Sequence, residues 1–91
     1  MRYRAKARSN RERVLIVGSG QNAQHAAWIL DQPGNAQKFQ VSGFVDDDLF
    51  AQGMRVHGAN VLGTWNDIPK LVAKQDIKVM IYPKIIPSWL V

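Results

Sequence analysis

Continuous apolar runs alternate along this chain with segments in which apolar residues recur at helical spacing. Such runs, rich in β-branched residues, predict strands of a parallel sheet that is covered on both faces. The runs lie at about residues 13–17, 39–45, 59–62 and 77–82. Apolar residues at i, i+3, i+4 and i+7 predict a helix over 21–31, and a shorter amphipathic segment predicts another that ends at 74 or 75.

The resulting element order is β-α-β-β-α-β. Right-handed crossovers then predict an α/β protein, a three-layer Rossmann-like half with a four-stranded parallel sheet in the order 3-2-1-4. The stretch 32–35, Gln-Pro-Gly-Asn, is a breaker at which the first helix must end. Met54–His57 reads as a short extended piece between glycines. For the second helix we weigh two starts, a capping box from Thr64 to Asp67 and a cap at Asn66.

The last predicted strand raises a question about its neighbours. It falls at an edge of the sheet, although its composition is typical of burial on both faces. We therefore expect the chain to be a fragment of a larger protein. The apolar tail Ile85–Val91 would cover this edge or pair with a second copy, and Trp89 is its candidate interchain anchor.

A glycine-rich turn joins the first strand to the first helix. Val14–Val17 run into Gly18-Ser19-Gly20-Gln21-Asn22-Ala23, which has the spacing G-x-G-x-x-A of a dinucleotide-binding turn. Gly18 permits a tight exit from the strand, and Gly20 lets backbone approach a pyrophosphate. Ala23 is small enough for the helix to pack on the sheet. We predict that all six residues of this turn bind a nucleotide, or that the small residues serve packing alone.

Three aspartates follow the second strand. Asp46 lies 26 positions after Gly20, close to the spacing expected for the acid that accepts a hydrogen bond from a ribose 2′-hydroxyl. Asp46 and Asp47 are therefore candidate cofactor-binding residues. The acid would repel a 2′-phosphate, so NAD is favoured over NADP. A nucleotide sugar is also ranked below NAD as a ligand. The alternative is that Asp46 ends the strand while Asp47 and Asp48 solvate or cap a turn.

Composition narrows the picture further. The chain has 91 residues, enough for one small domain, which we place at 13–91 after a flexible basic arm at 1–12. The net charge of +5 resides in residues 1–13, and the remainder is neutral. We read the arm as a solvated tail or as a segment near anionic lipid headgroups, and rank nucleic acid last. There is no cysteine, which excludes disulfides and thiol catalysis.

Other residues are weaker candidates for a functional role. His25 and His57 lack acidic partners at ligand spacing, so we expect no metal site. Ser19 has no apparent base and is expected to donate a hydrogen bond rather than to attack. Trp28 is expected either at the margin of the first helix's apolar face or in contact with another chain or domain, and Trp65 is a candidate hydrophobic staple.

Four segments together resemble one bacterial domain family. They are R-x-R-V-L-I-V-G-S-G, V-S-G-F-V-D-D-D, G-x-x-V-H-G-x-x-V-L-G-T-W-N-D-I-P-x-L-V and I-K-V-M-I-Y, within about 11–82. The chain resembles the Rossmann-like, CoA-binding-type domain of membrane-associated polysaccharide-biosynthesis proteins. These are nucleotide-sugar dehydratases or epimerases and polyprenyl-phosphate sugar phosphotransferases. The resemblance implies a parent at the cytoplasmic face of the inner membrane, with the basic arm next to its membrane helices.

The resemblance carries over the glycine turn and Asp46 but no catalytic residue, because the family's catalytic machinery is absent. We therefore expect an NAD(P)- or nucleotide-binding module of a polysaccharide-biosynthesis enzyme, with catalysis elsewhere in the parent. The alternative is a non-catalytic dimerisation or docking domain with an empty nucleotide site. An autonomous dehydrogenase is disfavoured, because no catalytic constellation of His, Tyr or Lys is recognisable.

Overall fold

The structure of this chain, a computed structural model, describes residues 10–83. The described chain contains three helices and five strands. In chain order they are β1 (Glu12–Val17), α1 (Gln21–Leu30), α2 (Pro33–Ala36), β2 (Phe39–Val45), β3 (Arg55–Val56), β4 (Ala59–Gly63), α3 (Ile68–Lys74) and β5 (Ile77–Ile81), with short 3₁₀ turns at Leu49–Ala51 and Trp65–Asp67. The α/β class and the main strands and helices predicted from the sequence are thereby confirmed.

The five strands form one sheet in the order β3-β4-β2-β1-β5. Its four parallel strands have the predicted 3-2-1-4 arrangement, but the predicted strand number was wrong. The segment 54–57 contributes β3, which pairs antiparallel with β4. His57 and Gly58 form the two-residue turn between them with φ of 47° and 83°. Positive φ at both positions matches the twist of a hairpin, which explains why so short a connection folds there.

Both faces of the sheet are covered by helices, as a three-layer sandwich requires. On one face the alanines of α1 pack against strand side chains, of which Val14, Ile16 and Phe44 have no exposed surface. On the other face Leu15, Val17 and Val45 pack against Leu71 of α3. Successive residues of β1 thus point to opposite cores, which is why its sequence is continuously apolar.

One sequence prediction about the helices is confirmed, and one about β5 needs correction. α1 ends at Leu30, before the breaker as predicted, and the breaker itself contributes the single turn α2, with Pro33 at its start, where a missing N–H costs little. β5 is not buried on both faces, since Lys78 and Met80 are exposed. The short α3, only seven residues long, leaves this part of the strand uncovered.

The capping box proposed for the start of the second helix is present, but it begins the 3₁₀ turn Trp65–Asp67 that leads into α3. Thr64 and Asp67 form a capping box, and the Asp67 carboxylate accepts the Thr64 N–H at 2.9 Å. The start at Asn66 was wrong. Pro69 falls in the first turn of α3, where it costs no internal hydrogen bond.

Several predicted features lie outside the described residues, namely most of the basic arm, the tail Ile85–Val91 and Trp89. Arg13, by contrast, is part of β1, where its guanidinium donates to Ser42 Oγ at 3.1 Å and to Gln75 Oε1 at 3.2 Å. No helix within residues 10–83 is long and apolar enough to cross a membrane.

Candidate functional site

The glycine turn connects β1 to α1 at the carboxyl end of the parallel strands. Gly18 has a φ of +106° and donates its N–H to Val45 O at 2.6 Å, which ties the turn to β2. Gly20 is the N-cap of α1, and no side chain caps the helix. The first N–H groups of a helix lack internal acceptors, so the turn presents donors and the positive end of the helix dipole to an anion.

The two glycines of the turn are needed for different reasons. Gly18 has a backbone conformation that L side chains rarely adopt, so the fold itself requires glycine there. Gly20 has an extended backbone with φ of −78°, which any residue can adopt. A Cβ added at Gly20 would meet no protein atom within 4 Å. The protein's own packing therefore gives no reason for glycine at this position.

An open groove of about 400 Å³ lies beside Gly20. Five of the predicted site residues line it: Gly18, Gly20, Gln21, Asn22 and Ala23. The other lining residues are Val17 at the end of β1, Trp65 after β4, and Tyr82 and Pro83 after β5. None of the lining residues is an Asp, Glu, Lys, Arg or His, so backbone amides are the main anion-binding groups of the groove.

Two aromatic residues in the groove were not predicted as part of the site. Trp65 and Tyr82 form a T-shaped pair, with ring centroids 5.9 Å apart and planes at 81°. Trp65 is therefore not simply the hydrophobic staple expected from the sequence. The signal that could have identified the pair is an aromatic residue within two positions of the end of each of two parallel strands, because the carboxyl ends of such strands share one edge of the sheet.

Asp46 and Ser19 do not line this groove but bond to each other. Ser19 Oγ donates to Asp46 Oδ2 at 2.5 Å, and the Asp48 N–H donates to Asp46 Oδ1 at 2.9 Å. These two hydrogen bonds, that from Ser19 above all, lower the pKa of Asp46. The carboxylate is therefore ionised near neutral pH and links the end of β2 to the glycine turn.

The other two aspartates also accept hydrogen bonds from the protein. Asp47 Oδ1 accepts the Trp65 N–H at 2.9 Å, and Asp48 Oδ1 accepts the Phe50 N–H at 2.9 Å. Asp48 thus caps a 3₁₀ turn, as the capping alternative predicted. Asp47 connects the segment after β2 to an aromatic residue of the groove rather than lining the groove itself.

The two histidines lie apart from this site. His25 stacks on Trp28 with ring centroids 6.1 Å apart, on the exposed face of α1. His57 pairs with Asp31 at 3.3 Å. Among residues 10–83, no three His, Cys, Asp or Glu side chains are grouped so that they could hold a metal ion.

Comparisons with known proteins identify the fold. No protein-family model matches the chain, and no curated protein matches it. Among solved structures, UDP-D-quinovosamine 4-dehydrogenase from Vibrio fischeri matches with a TM-score of 0.68 and 24% identity, over 79% of this chain and 56% of that one. RSP, a Rex-family repressor, matches with a TM-score of 0.71 and 18% identity, over 90% and 37%.

RSP in complex with β-NADH matches with a TM-score of 0.66 and 18% identity, over 92% of this chain and 38% of that one. The chain thus spans little more than half of the dehydrogenase and under two fifths of the repressor. At these identities the likeness concerns the fold, which is Rossmann-like.

Proposed function

We propose that this domain binds a nucleotide, with NAD as the favoured ligand. The observation that carries the proposal is Gly20, whose missing Cβ opens onto the groove and is not explained by backbone conformation or packing. A pyrophosphate against the amides at the start of α1 accounts for it. The repressor of similar fold solved with β-NADH supports this choice of ligand.

Asp46 would bind the adenosine ribose of such a ligand. It lies at the end of β2, where this fold holds the 2′-hydroxyl, and its lowered pKa keeps the carboxylate charged. Each carboxylate oxygen has two acceptor sites, so the bonds from Ser19 and Asp48 leave capacity for a ribose hydroxyl. Ser19 and Asp47 would then contribute by orienting their neighbours rather than by direct contact.

We further propose that the domain is part of a membrane-tethered polysaccharide-biosynthesis enzyme that acts at the cytoplasmic face of the inner membrane. The support is the four-segment motif resemblance, together with the structural likeness to an enzyme named for a UDP-sugar substrate. The parent would be a nucleotide-sugar dehydratase or epimerase, or a sugar phosphotransferase, with its catalytic residues in another domain.

Calorimetric titration with NAD⁺, NADH, CoA and UDP-sugars tests nucleotide binding. We expect saturable heat with NAD⁺ or NADH that disappears in Gly20→Val, because the branched side chain would occupy the space of the phosphate. Gly34→Val is the matched control, since a Cβ at Gly34 also meets no protein atom within 4 Å and Gly34 lies in α2, away from the groove. Absence of heat with every ligand at millimolar concentration would reject the proposal.

A specific feature of the sheet favours a second function, that of a dimerisation or docking domain. Within the described residues β5 pairs only with β1, and its Met80 side chain is 47% exposed. An unpaired strand edge with an apolar side chain is a natural site for a second copy. Light scattering on the full chain tests this: we expect a dimer that Met80→Lys weakens, and a strict monomer contradicts it.

A further inference from the structure

The aromatic pair in the groove has more exposed surface than its structural role requires. Trp65 is 45% exposed and Tyr82 is 49% exposed, whereas the strand residues beneath the groove, such as Val17 and Ile81, are almost fully buried. Each of these rings carries a large apolar area, so leaving it in contact with water costs free energy. Here two of them face a cavity of about 400 Å³ that would hold a ring-bearing ligand.

The geometry of the pair leaves a ring face available. In a T-shaped contact the edge of one ring meets the face of the other, so the ring that contributes its edge keeps both faces free of its partner. A planar group that enters the groove can therefore stack without breaking the contact between Trp65 and Tyr82.

The backbone of Trp65 is held on both sides. Its N–H donates to Asp47 at 2.9 Å, and the residue before it forms the capping box with Asp67. The ring thus projects from a turn that is fixed to both β2 and α3. With its backbone fixed and its ring in contact with Tyr82, the Trp65 side chain has less conformational entropy to lose when a ligand stacks on it.

The position of the pair relative to the glycine turn decides which part of a ligand it meets. Sheet order places β2 on one side of β1 and β5 on the other. Asp46 follows β2 and Trp65 follows β4, both on one side of β1, whereas Tyr82 follows β5 on the other side. The Trp65 ring nevertheless lies beside that of Tyr82, with 5.9 Å between the ring centroids. A ligand with its adenosine ribose at Asp46 and its pyrophosphate at Gly20 extends its distal half toward Tyr82.

We propose that Trp65 and Tyr82 form a stacking wall, that is, an aromatic surface on which a planar heteroaromatic ring packs. This ring is the distal group of a ligand built on a nucleoside diphosphate. The proposal rests on the proposed nucleotide binding and adds the substrate class of that site. Ligands whose distal group is a planar ring are preferred over ligands that end in a sugar, because the ring gains stacking area against an aromatic surface.

The test compares ligands that differ only in the distal group. NAD⁺ and ADP-ribose share the adenosine diphosphate and differ by the nicotinamide ring. By calorimetry we expect the full chain to bind NAD⁺ about tenfold more tightly than ADP-ribose, the gain typical of one aromatic stacking contact. UDP-glucose and UDP are expected to bind equally, because a sugar does not stack as a planar ring does.

Variants of the chain test whether Trp65 and Tyr82 cause the preference for NAD⁺ over ADP-ribose. Trp65→Leu and Tyr82→Leu should reduce the ratio of NAD⁺ to ADP-ribose affinity to about one while leaving ADP-ribose affinity unchanged. Trp65→Phe keeps a ring and should retain most of the ratio, with circular dichroism confirming the fold. Trp28→Leu is the matched control, since Trp28 is 52% exposed on the outer face of α1 and should leave the ratio unchanged.

Three results would overturn the stacking wall. The first is equal affinity of the unaltered chain for NAD⁺ and ADP-ribose. The second is an equal loss of affinity for both ligands in Trp65→Leu, which places the adenine on the wall. The third is a preference for UDP-glucose over UDP that Trp65→Leu abolishes. In all three cases nucleotide binding itself stands, whereas failure of every ligand to bind rejects the proposed function and the wall together.

Discussion

The glycine turn after β1 and the aspartate segment after β2 leave adjacent strands at the same edge of the sheet, and both were predicted to bind a cofactor. The turn opens onto a groove, and no side chain caps the helix that it begins. The aspartates, by contrast, accept hydrogen bonds from Ser19, Asp48, Phe50 and Trp65. The glycine turn thus presents N–H donors that have no acceptor within the helix. The aspartates, in contrast, use much of their acceptor capacity to hold neighbouring segments in place.

This difference separates a region that is free for recognition from one that also supports the fold. Backbone donors at a helix start cannot be satisfied within the helix, so they remain ready for a ligand. Carboxylates at a strand end bond to nearby N–H and O–H groups, so Asp46 would hold neighbouring segments as well as a ribose hydroxyl. A polar residue next to a site is therefore better judged by the donors and acceptors around it than by its spacing from a motif.

The largest expected effect is the difference in stability between variants of the two glycines of the turn. Gly18→Ala should lower the free energy of unfolding by about 1–3 kcal/mol, because a residue with a Cβ is strained at a φ of +106°. Gly20→Ala should change it by less than about 0.5 kcal/mol, because the added Cβ meets open space. Urea unfolding of both variants measures the difference, and equal destabilisation would contradict the separate roles assigned here.

The next effect concerns the charge of Asp46. Asp46→Asn should lower the ratio of NAD⁺ affinity to NADP⁺ affinity about tenfold, because the variant no longer repels a 2′-phosphate. Titrations of both cofactors against the unaltered and variant chains measure the change in ratio. A ratio unaffected by the substitution would assign Asp46 to support alone.

A smaller effect is expected from the bond between Ser19 and Asp46. Ser19→Ala should lower the free energy of unfolding by about 1 kcal/mol near pH 7, below the usual range for a charged acceptor because the bond is only partly buried. The lowered pKa of Asp46 sets the direction with pH. A carboxylate with a depressed pKa in the folded protein stabilises it above the ordinary value of about 4, and this contribution is lost as pH falls through the lower folded value.

The difference in unfolding free energy between the unaltered chain and Ser19→Ala should therefore narrow as pH falls below about 4. Urea unfolding at a series of pH values measures it. A difference that is constant over the whole range would mean that Ser19 stabilises the turn without the charge of Asp46.

The smallest effect is expected at Asp47. Asp47→Ala should cost less than about 0.5 kcal/mol of unfolding free energy, because water can replace an exposed acceptor. The same variant should lower the ratio of NAD⁺ to ADP-ribose affinity about twofold, since Trp65 is then held less firmly. Unfolding and titration of one protein preparation give both values, and a large loss of stability would show that Asp47 supports the fold rather than the ring.

Much of the fold could be predicted because its signals are local. The bounds of β2 were predicted as observed, and the capping box was one of two starts considered for the second helix. The hairpin β3–β4 was missed, since His57 adopts a positive φ, which is uncommon for residues other than glycine. The one-turn helix α2 was missed because proline and glycine usually mark irregular chain.

The amino-acid sequence by itself determined the strand, the glycine turn and the helix with its alanine face, because backbone sterics and apolar periodicity act over a few residues. Only the tertiary structure decided that Ser19 meets Asp46 and that Trp65 meets Tyr82. These contacts join positions 27 and 17 residues apart, so they depend on the order of strands in the sheet and on the direction of each connection. Which donors remain open to a ligand follows from those contacts.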